Sequence, residues 1–90
     1  MKYSLYILKS SVRDTYYIGS SDNPKRRLPY HNGESKGYTQ RYRPWKLAYT
    51  HTFDSKQQAL QAEQVVKKWK SKKMIRLLID GKIDIRDYLE

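Results

Sequence analysis

Two tyrosines, one arginine and one histidine lie close together in the first third of the chain. Tyr6 and Tyr17 occur in two short aromatic segments, and Arg27 and His31 follow at a spacing of four residues. Residues four apart share one face of a helix. Arginine presents a planar fork that matches phosphate oxygens, and histidine can donate a hydrogen bond or carry a proton. These residue types suit chemistry on a phosphate, and they equally suit ordinary sheet packing and a solvated basic helix face.

A single carboxylate, Glu63, borders an apolar stripe in the second half of the chain. At about 100° per residue, it lies about 40° from Ala59 and about 60° from Val66 around the predicted helix. Because burial of an unpaired charge is costly, a carboxylate at this position requires a partner. That partner is either an Arg or Lys in a salt bridge or a hard cation, and the pattern leaves both open.

Both tyrosines belong to predicted β-strands. Residues 3–9 and 15–20 are rich in aromatic and β-branched side chains, and the polar residues between them indicate a hairpin. We expect Tyr6 to pair with Tyr17 across a tight turn at Ser10–Arg13. Directly opposed residues of an antiparallel pair point to the same face, so the two phenols would lie side by side.

The residues after the second strand indicate a close backbone contact and then a helix. Gly19 ends the strand, and a glycine there indicates a bulge, a turn or the close approach of other atoms. Asn23-Pro24 combines a capping residue with proline at the first helical position, which predicts a helix to about His31. Pro29 predicts a kink or an end within that helix, because proline removes a backbone hydrogen bond.

A third strand and two further helices follow. Residues 45–53 alternate in polarity, which predicts a strand with one buried face. That face is expected to carry Trp45, Leu47, Tyr49, His51 and Phe53. A capping box at Ser55 opens a helix to about Trp69, and Ser71 opens another that ends near Gly81.

The predicted order is therefore β-β-α-β-α-α. It indicates an α+β fold in which a small, three-stranded, mostly antiparallel sheet is flanked by helices. Ninety residues without an internal repeat or linker allow one domain. We assign residues 1–80 to this domain and treat residues 81–90 as a C-terminal tail that is either a short helix or loose.

The composition narrows the class of partner. The chain carries 19 Lys+Arg and 9 Asp+Glu, a net charge of +10, and the basic residues are interleaved with aromatic ones. This distribution favours nucleic acid over a membrane surface. The absence of cysteine excludes disulfides, thiolate zinc sites and cysteine nucleophiles. With neither a long apolar run nor a signal-peptide pattern, we expect a soluble cytoplasmic protein with no membrane partner and no small-molecule cofactor.

Five motifs in order resemble the GIY-YIG nuclease superfamily. They begin with Ser4-Leu5-Tyr6 and Tyr17-Ile18-Gly19 and continue with DNPKRRLPYHN over residues 22–32. The remaining motifs lie within residues 41–79, which resemble small stand-alone bacterial members. The resemblance extends over residues 3–79. The chain is similar in the same way to the N-terminal domain of excinuclease C.

The resemblance implies a metal-dependent hydrolase of phosphodiester bonds. Tyr6 and Tyr17 match the motif tyrosines, Arg27 the motif arginine and His31 the motif histidine, and all four would be catalytic. Glu63 matches the metal-binding glutamate. A single carboxylate suits one Mg²⁺ or Mn²⁺, since Mg²⁺ retains several waters and accepts one or two carboxylates.

A basic surface is expected to position the nucleic acid through its phosphates, which carry no sequence information. The residues predicted to form it are Lys25, Arg26, Lys36, Arg41, Arg43, Lys67 and Lys68. We expect an endonuclease that acts on DNA in repair or processing. Two alternatives remain at this point: a non-catalytic nucleic-acid-binding module with a degenerate nuclease site, and an RNA- or ribosome-associated basic protein.

Overall fold

The computed structural model describes residues 2–33 and 41–89. One antiparallel sheet has the strand order β2-β1-β3 and consists of β1 (Tyr3–Ser10), β2 (Tyr16–Ser21) and β3 (Trp45–Phe53). The helices described are α1 (Pro24–Asn32), α2 (Lys56–Trp69), α3 (Lys72–Ile79) and a 3₁₀ helix (Ile85–Tyr88). The α+β class, the antiparallel sheet and the order β-β-α-β-α-α are confirmed.

The register of the β1–β2 hairpin differs from the prediction by two residues. Tyr6 lies opposite Gly19 and Leu8 opposite Tyr17, so the predicted Tyr6–Tyr17 pair is wrong. The predicted tight turn at Ser10–Arg13 is also wrong. The Ser10 side-chain hydroxyl accepts backbone N–H groups from both residue 12 and residue 13, each at 3.1 Å, and this holds a wider loop. A shift of two preserves the face, so both phenols still lie on the same side of the sheet.

Strand β3 does not present a single buried face. Its register with β1 changes between Ile7 and Leu8, where Tyr49 and Leu47 are the successive partners. One extra residue at this point moves the side chains that follow it to the opposite face. The prediction of one apolar face is therefore wrong. Trp45 and Leu47 belong to one core cluster, whereas Tyr49, His51 and Phe53 lie on the other side of the sheet.

Pro29 does not end α1, so the prediction of an end within this helix is wrong, and the alternative of a kink stays a prediction. The helix begins at the Asn23 cap, whose side chain accepts the backbone N–H of Arg26, and it continues through Asn32. The side chain of Asn32 then donates to the Trp45 carbonyl at 3.1 Å and accepts the Trp45 N–H at 2.6 Å. This double hydrogen bond anchors the last turn to β3, which compensates for the one backbone bond that proline removes.

The two faces of the sheet support separate core clusters. Leu5 and Ile7 pack with the buried faces of α2 and α3, and Ile85 of the 3₁₀ helix is fully buried in the same cluster. Tyr6, Leu8 and Trp45 form the cluster on the other face, beneath α1. The tail thus contributes one core side chain, and the domain boundary at residue 80 stays a prediction. Within residues 2–33 and 41–89, no helix is long and apolar enough to cross a membrane.

Candidate active site

Tyr6 occupies the centre of the α1 face of the sheet. Its side chain is 2% exposed, and its ring lies directly over Gly19 of the edge strand β2. A Cβ atom placed on Gly19 would approach both Cζ and Oη of Tyr6 to 2.7 Å. Glycine is therefore required here for the phenol to pass over the edge strand. The expectation of a close backbone contact at Gly19 agrees with this geometry.

The hydroxyl of Tyr6 is hydrogen-bonded to Nε2 of His31 at 2.9 Å. His31 is itself 2% exposed, so the protein encloses almost all of both rings. Tyr17 lies beside them, with its ring centroid 6.4 Å from that of Tyr6 and 4.6 Å from that of His31. Three rings that the sequence separates by up to 25 positions therefore form one cluster.

Burial determines the protonation state of this pair. It raises the pKa of Tyr6 to about 12, with a further contribution from Tyr17, and a hydrogen bond and the charge of Arg27 act in the opposite direction. The pKa of His31 is lowered from 6.5, first by burial and then by the charge of Arg27. At neutral pH the phenol is therefore protonated and the imidazole is neutral.

Arg27 lies at the solvent side of this cluster. Its guanidinium carbon is 4.4 Å from the ring centroid of Tyr30, a cation–π contact. Tyr30 in turn contacts the His31 ring edge-on, with the centroids 5.5 Å apart. Since Tyr30 is 40% exposed, the guanidinium is held next to solvent, where an anion can reach it.

Glu63 reaches the same region from the other side of the sheet. It extends from α2, and its Oε1 accepts a hydrogen bond from the Ser20 hydroxyl at 2.6 Å on the edge strand. Its Oε2 is paired with Lys67 at 2.6 Å, and only 14% of its side chain is exposed. The charge of Glu63 also raises the pKa of Tyr6, and this is the smallest of the effects on that pKa. The site therefore extends across the β2 edge.

The oxygen atoms at this edge are compatible with a hard divalent cation. The described residues contain no group of three or more His, Cys, Asp or Glu side chains that could enclose a metal. They do offer the Glu63 carboxylate and the adjacent Ser20 hydroxyl. Mg²⁺ commonly binds through one or two carboxylates together with waters and substrate phosphates, and this donor set fits that pattern once the Lys67 ammonium moves away from Oε2 of Glu63.

The predicted phosphate-binding residues on α1 lie at its first turn. Arg26 donates to Asp22 at 2.6 Å in an exposed ion pair, so part of its charge is neutralised locally. Lys25 is exposed and lines a depression that also includes Ser4 and Thr50. Their role in binding nucleic acid stays a prediction.

The remaining basic residues are distributed over other elements. Arg43 donates from Nε to the backbone carbonyl of His31 at 3.3 Å, which ties the residues before β3 to the end of α1. Arg41 and Lys68 are exposed. Lys36 lies outside the described residues. These assignments also stay predictions.

Sequence reasoning missed three supporting residues. Ser20 binds Glu63, Tyr30 contacts Arg27, and Asn32 anchors the helix that carries His31. Strand alternation was a usable signal for Ser20, because a residue next to Gly19 must face the opposite side of the sheet. The partners of Tyr30 and Asn32 depend on tertiary contacts that no spacing reveals.

The site combines a buried tyrosine–histidine pair, an adjacent arginine and a carboxylate at one sheet edge. This combination is typical of one class of protein, small α+β domains that act on phosphate esters. The model of the GIY-YIG catalytic domain matches residues 2–76. The chain belongs to the GIY-YIG catalytic domain family, a family of nucleases, which confirms the resemblance found in the sequence.

Individual relatives agree with this assignment. The chain is 49% identical over 67 residues to the structure-specific endonuclease subunit SLX1 of Phaeosphaeria nodorum, which covers 68% of this chain and 18% of that protein. It therefore spans under a fifth of that relative's length. A UPF0213 protein of Staphylococcus saprophyticus is 32% identical over 80 residues, which covers 89% of this chain and 98% of the relative. The solution structure of a Bacillus halodurans UPF0213 protein covers 87% of this chain and 83% of its own, with 30% identity and a TM-score of 0.54.

Proposed function

We propose that this protein is an endonuclease that hydrolyses phosphodiester bonds of DNA with the help of one divalent cation, Mg²⁺ or Mn²⁺. The observation that carries the proposal is the buried Tyr6–His31 hydrogen bond next to Arg27, in a chain of the GIY-YIG family. Relatives named as structure-specific endonuclease subunits support the reaction class. A role in DNA repair or processing belongs to the same proposal.

The proposed activation of water depends on Tyr6 and His31 acting together. A phenol with a pKa of about 12 is protonated at neutral pH and cannot take a proton unless it releases its own. His31 Nε2 lies at 2.9 Å and is neutral at that pH, so it can accept the phenol proton. The Tyr6 oxygen then takes a proton from the attacking water, and the net result is one proton moved from water to His31.

Residues on either side of the β2 edge would stabilise the negative charge of the phosphate. Arg27 would bind non-bridging oxygens of the phosphate and stabilise the negative charge that develops on them. Glu63, with Ser20 beside it, would hold the cation. When bound, the cation supplies Lewis-acid polarisation of the phosphate. Tyr17 packs against His31 and limits its orientation.

Cleavage of labelled DNA tests this proposal. A panel of single strand, duplex, flap and junction is incubated with Mg²⁺, with Mn²⁺ and with a chelator. We expect cleavage that requires metal in the wild type and that falls by at least about a hundredfold in both Arg27→Ala and Glu63→Gln.

A matched control distinguishes the effect of losing the Glu63 carboxylate from the effect of losing a negative charge elsewhere on the protein. Asp80 is an exposed carboxylate at the end of α3, and Asp80→Asn should cleave like the wild type. Salt-sensitive binding of DNA without cleavage by the wild type under any metal condition would contradict the enzyme proposal and support a non-catalytic binding module.

A further inference from the structure

A basic groove separate from the tyrosine–histidine cluster lies between the start of β2 and the junction of α2 with α3. Its volume is about 290 Å³. The floor is apolar and is formed by Ile18, Val66 and Ile75. The rim carries three lysines: Lys67, Lys70 and Lys72. We call this feature the junction groove.

The charge of the junction groove is largely uncompensated. Among the residues that the structure describes, no acidic side chain lines it, and neither Lys70 nor Lys72 forms an ion pair. Both lysines are exposed. Hydroxyl donors accompany them, because Thr15 and Ser71 also line the groove. Ammonium and hydroxyl groups around an open groove are suited to phosphate oxygens rather than to a neutral ligand.

The groove is continuous with the candidate active site along the edge of β2. Lys67 belongs to its rim and is paired with Glu63, whose other oxygen accepts the hydrogen bond from Ser20. From Ser20 the strand runs back through Ile18 to Thr15 at the groove. Five residues of strand extend about 16 Å, because each residue advances about 3.3 Å. A nucleic-acid strand that lies along this edge would therefore bring phosphates that flank the reacting one to the groove.

The backbone at Lys70 gives the groove part of its shape. Lys70 ends α2 with φ 49° and ψ 36°, in the left-handed region, directly before the Ser71 cap of α3. This conformation favours glycine, yet the position carries a lysine. Lys67 and Lys72, from the two helices on either side of it, lie on the rim of one groove.

We propose that the junction groove binds the phosphate backbone of the same nucleic-acid strand that the active site holds, at phosphates that flank the reacting one. The proposal rests on the proposed function for the identity of the polyanion. The groove would place the strand along the β2 edge and so determine how far the nucleic acid must extend beyond the cleaved bond.

Binding measured without cleavage tests the groove. A labelled duplex of about 30 base pairs is titrated with protein, by fluorescence anisotropy in a chelator, over a range of salt concentrations. Lys70→Gln/Lys72→Gln removes two rim charges. Lys73→Gln/Lys82→Gln removes the same charge from exposed positions outside the groove and is the matched control.

We expect the groove variant to bind at least about tenfold more weakly at 0.1 M salt and to reduce the slope of log K against log salt by about 1.8, since each phosphate contact contributes about 0.9. The control should bind within about threefold of the wild type, with a slope changed by less than about 0.5. Melting temperatures of all three proteins confirm that the substitutions leave the fold intact.

The outcomes separate the groove from the proposed function. If the wild type binds duplex and single strand but both double variants lose affinity equally, the groove inference is overturned and the proposed function stands. If the wild type binds no nucleic acid, the proposed function fails and the groove has no such ligand. Binding to vesicles of phosphatidylserine, lost in the groove variant, with none to DNA would also overturn the inference in favour of a membrane surface.

Discussion

At the residue scale, the site depends on one phenol held in a fixed position. The Tyr6 hydroxyl is hydrogen-bonded to His31, and the Tyr6 ring lies over Gly19. The hydroxyl therefore has little freedom to leave the imidazole. A protonated phenol next to a neutral histidine is also the state that burial favours for both groups.

The pH dependence follows from His31. Its pKa lies below 6.5 because burial and Arg27 disfavour the charged form. The neutral ring is thus present above pH 6.5, and we expect kcat/KM to fall only as the pH drops through the lower folded-state pKa. The unfolding free energy should decrease as the pH falls from about 6.5 toward the lower folded-state pKa, because over that interval the unfolded chain binds more protons than the folded one. Rate profiles and chemical denaturation from pH 8 to pH 5 measure both.

His31→Gln provides the comparison for that pH dependence. This variant should lose the extra decrease in unfolding free energy below pH 6.5, because no titrating group remains at that position. An acid limb of kcat/KM centred well above pH 7 in the wild type would contradict the assignment of a neutral, buried imidazole.

Gly19→Ala tests the close contact at the edge strand. The added methyl group would lie 2.7 Å from Tyr6, so the ring must move. A displacement of about 1 Å in a reacting group can reduce a rate by about a hundredfold, and we expect a loss of that order in kcat. Gly81→Ala is a suitable control, because a carbon added there would have no neighbour within 4 Å, and its φ of 76° would reduce stability without a contact at the site. Equal rates for Gly19→Ala and the wild type would show that Tyr6 is not confined there.

At the element scale, the link between α1 and β3 positions the histidine. Asn32 pairs with both backbone groups of Trp45, and His31 is the preceding residue. Asn32→Ala leaves a donor and an acceptor without their partner, which should reduce the unfolding free energy by about 1 to 3 kcal/mol. The rate should fall further than this loss of stability alone explains, because the end of α1 can then shift.

Denaturation and single-turnover rates of Asn32→Ala, compared at a temperature where the variant is fully folded, test this role. Asn23→Ala is a useful reference, because it removes a hydrogen bond at the opposite end of the same helix. If Asn32→Ala loses stability but retains the wild-type rate when folded, the anchor serves the fold alone.

The elements were more predictable than their registers. Strand and helix bounds follow from alternation, capping residues and apolar periodicity, and all six predicted elements are present. The hairpin register depends on hydrogen bonds that two backbone N–H groups of the loop donate to the Ser10 hydroxyl, and the bulge in β3 depends on the packing of the two core clusters. Pro29 misled the prediction because the compensating contact comes from Asn32 and a distant strand. Tertiary contacts of this kind leave no periodic signal.

The part of the site that lies on the α1 face of the sheet was predictable from the sequence. The spacing placed Arg27 and His31 on one helix face, the family resemblance grouped them with the tyrosines, and the structure brings Tyr6 next to both. The two-residue error in the hairpin register left both tyrosines on the predicted side of the sheet, because side chains alternate along a strand with a period of two residues. Glu63 was recognised as needing a partner. Lys67 lies four residues on in the same helix and could be read from the spacing, whereas Ser20 comes from β2 and could not.

At the scale of the whole molecule, the net charge of +10 has opposite effects on stability and on binding. Self-repulsion of a cationic domain is screened by salt, whereas attraction to phosphates is weakened by it. We expect the melting temperature to rise modestly between about 0.05 and 0.3 M salt, while affinity for DNA falls by at least about tenfold. A melting temperature that decreases with salt would indicate that local ion pairs, such as Lys67 with Glu63, outweigh the net repulsion.

The most direct test of the central claim is the single-turnover cleavage rate of Tyr6→Phe. This variant keeps the buried ring and removes only the hydroxyl that is bonded to His31. Tyr49→Phe removes a hydroxyl from a half-buried tyrosine on the other face of the sheet and serves as the control. We expect a folded Tyr6→Phe protein that cleaves at least about a hundredfold more slowly, with Tyr49→Phe near the wild-type rate. Cleavage by Tyr6→Phe within about threefold of the wild type would contradict the claim that the Tyr6–His31 pair activates the attacking water.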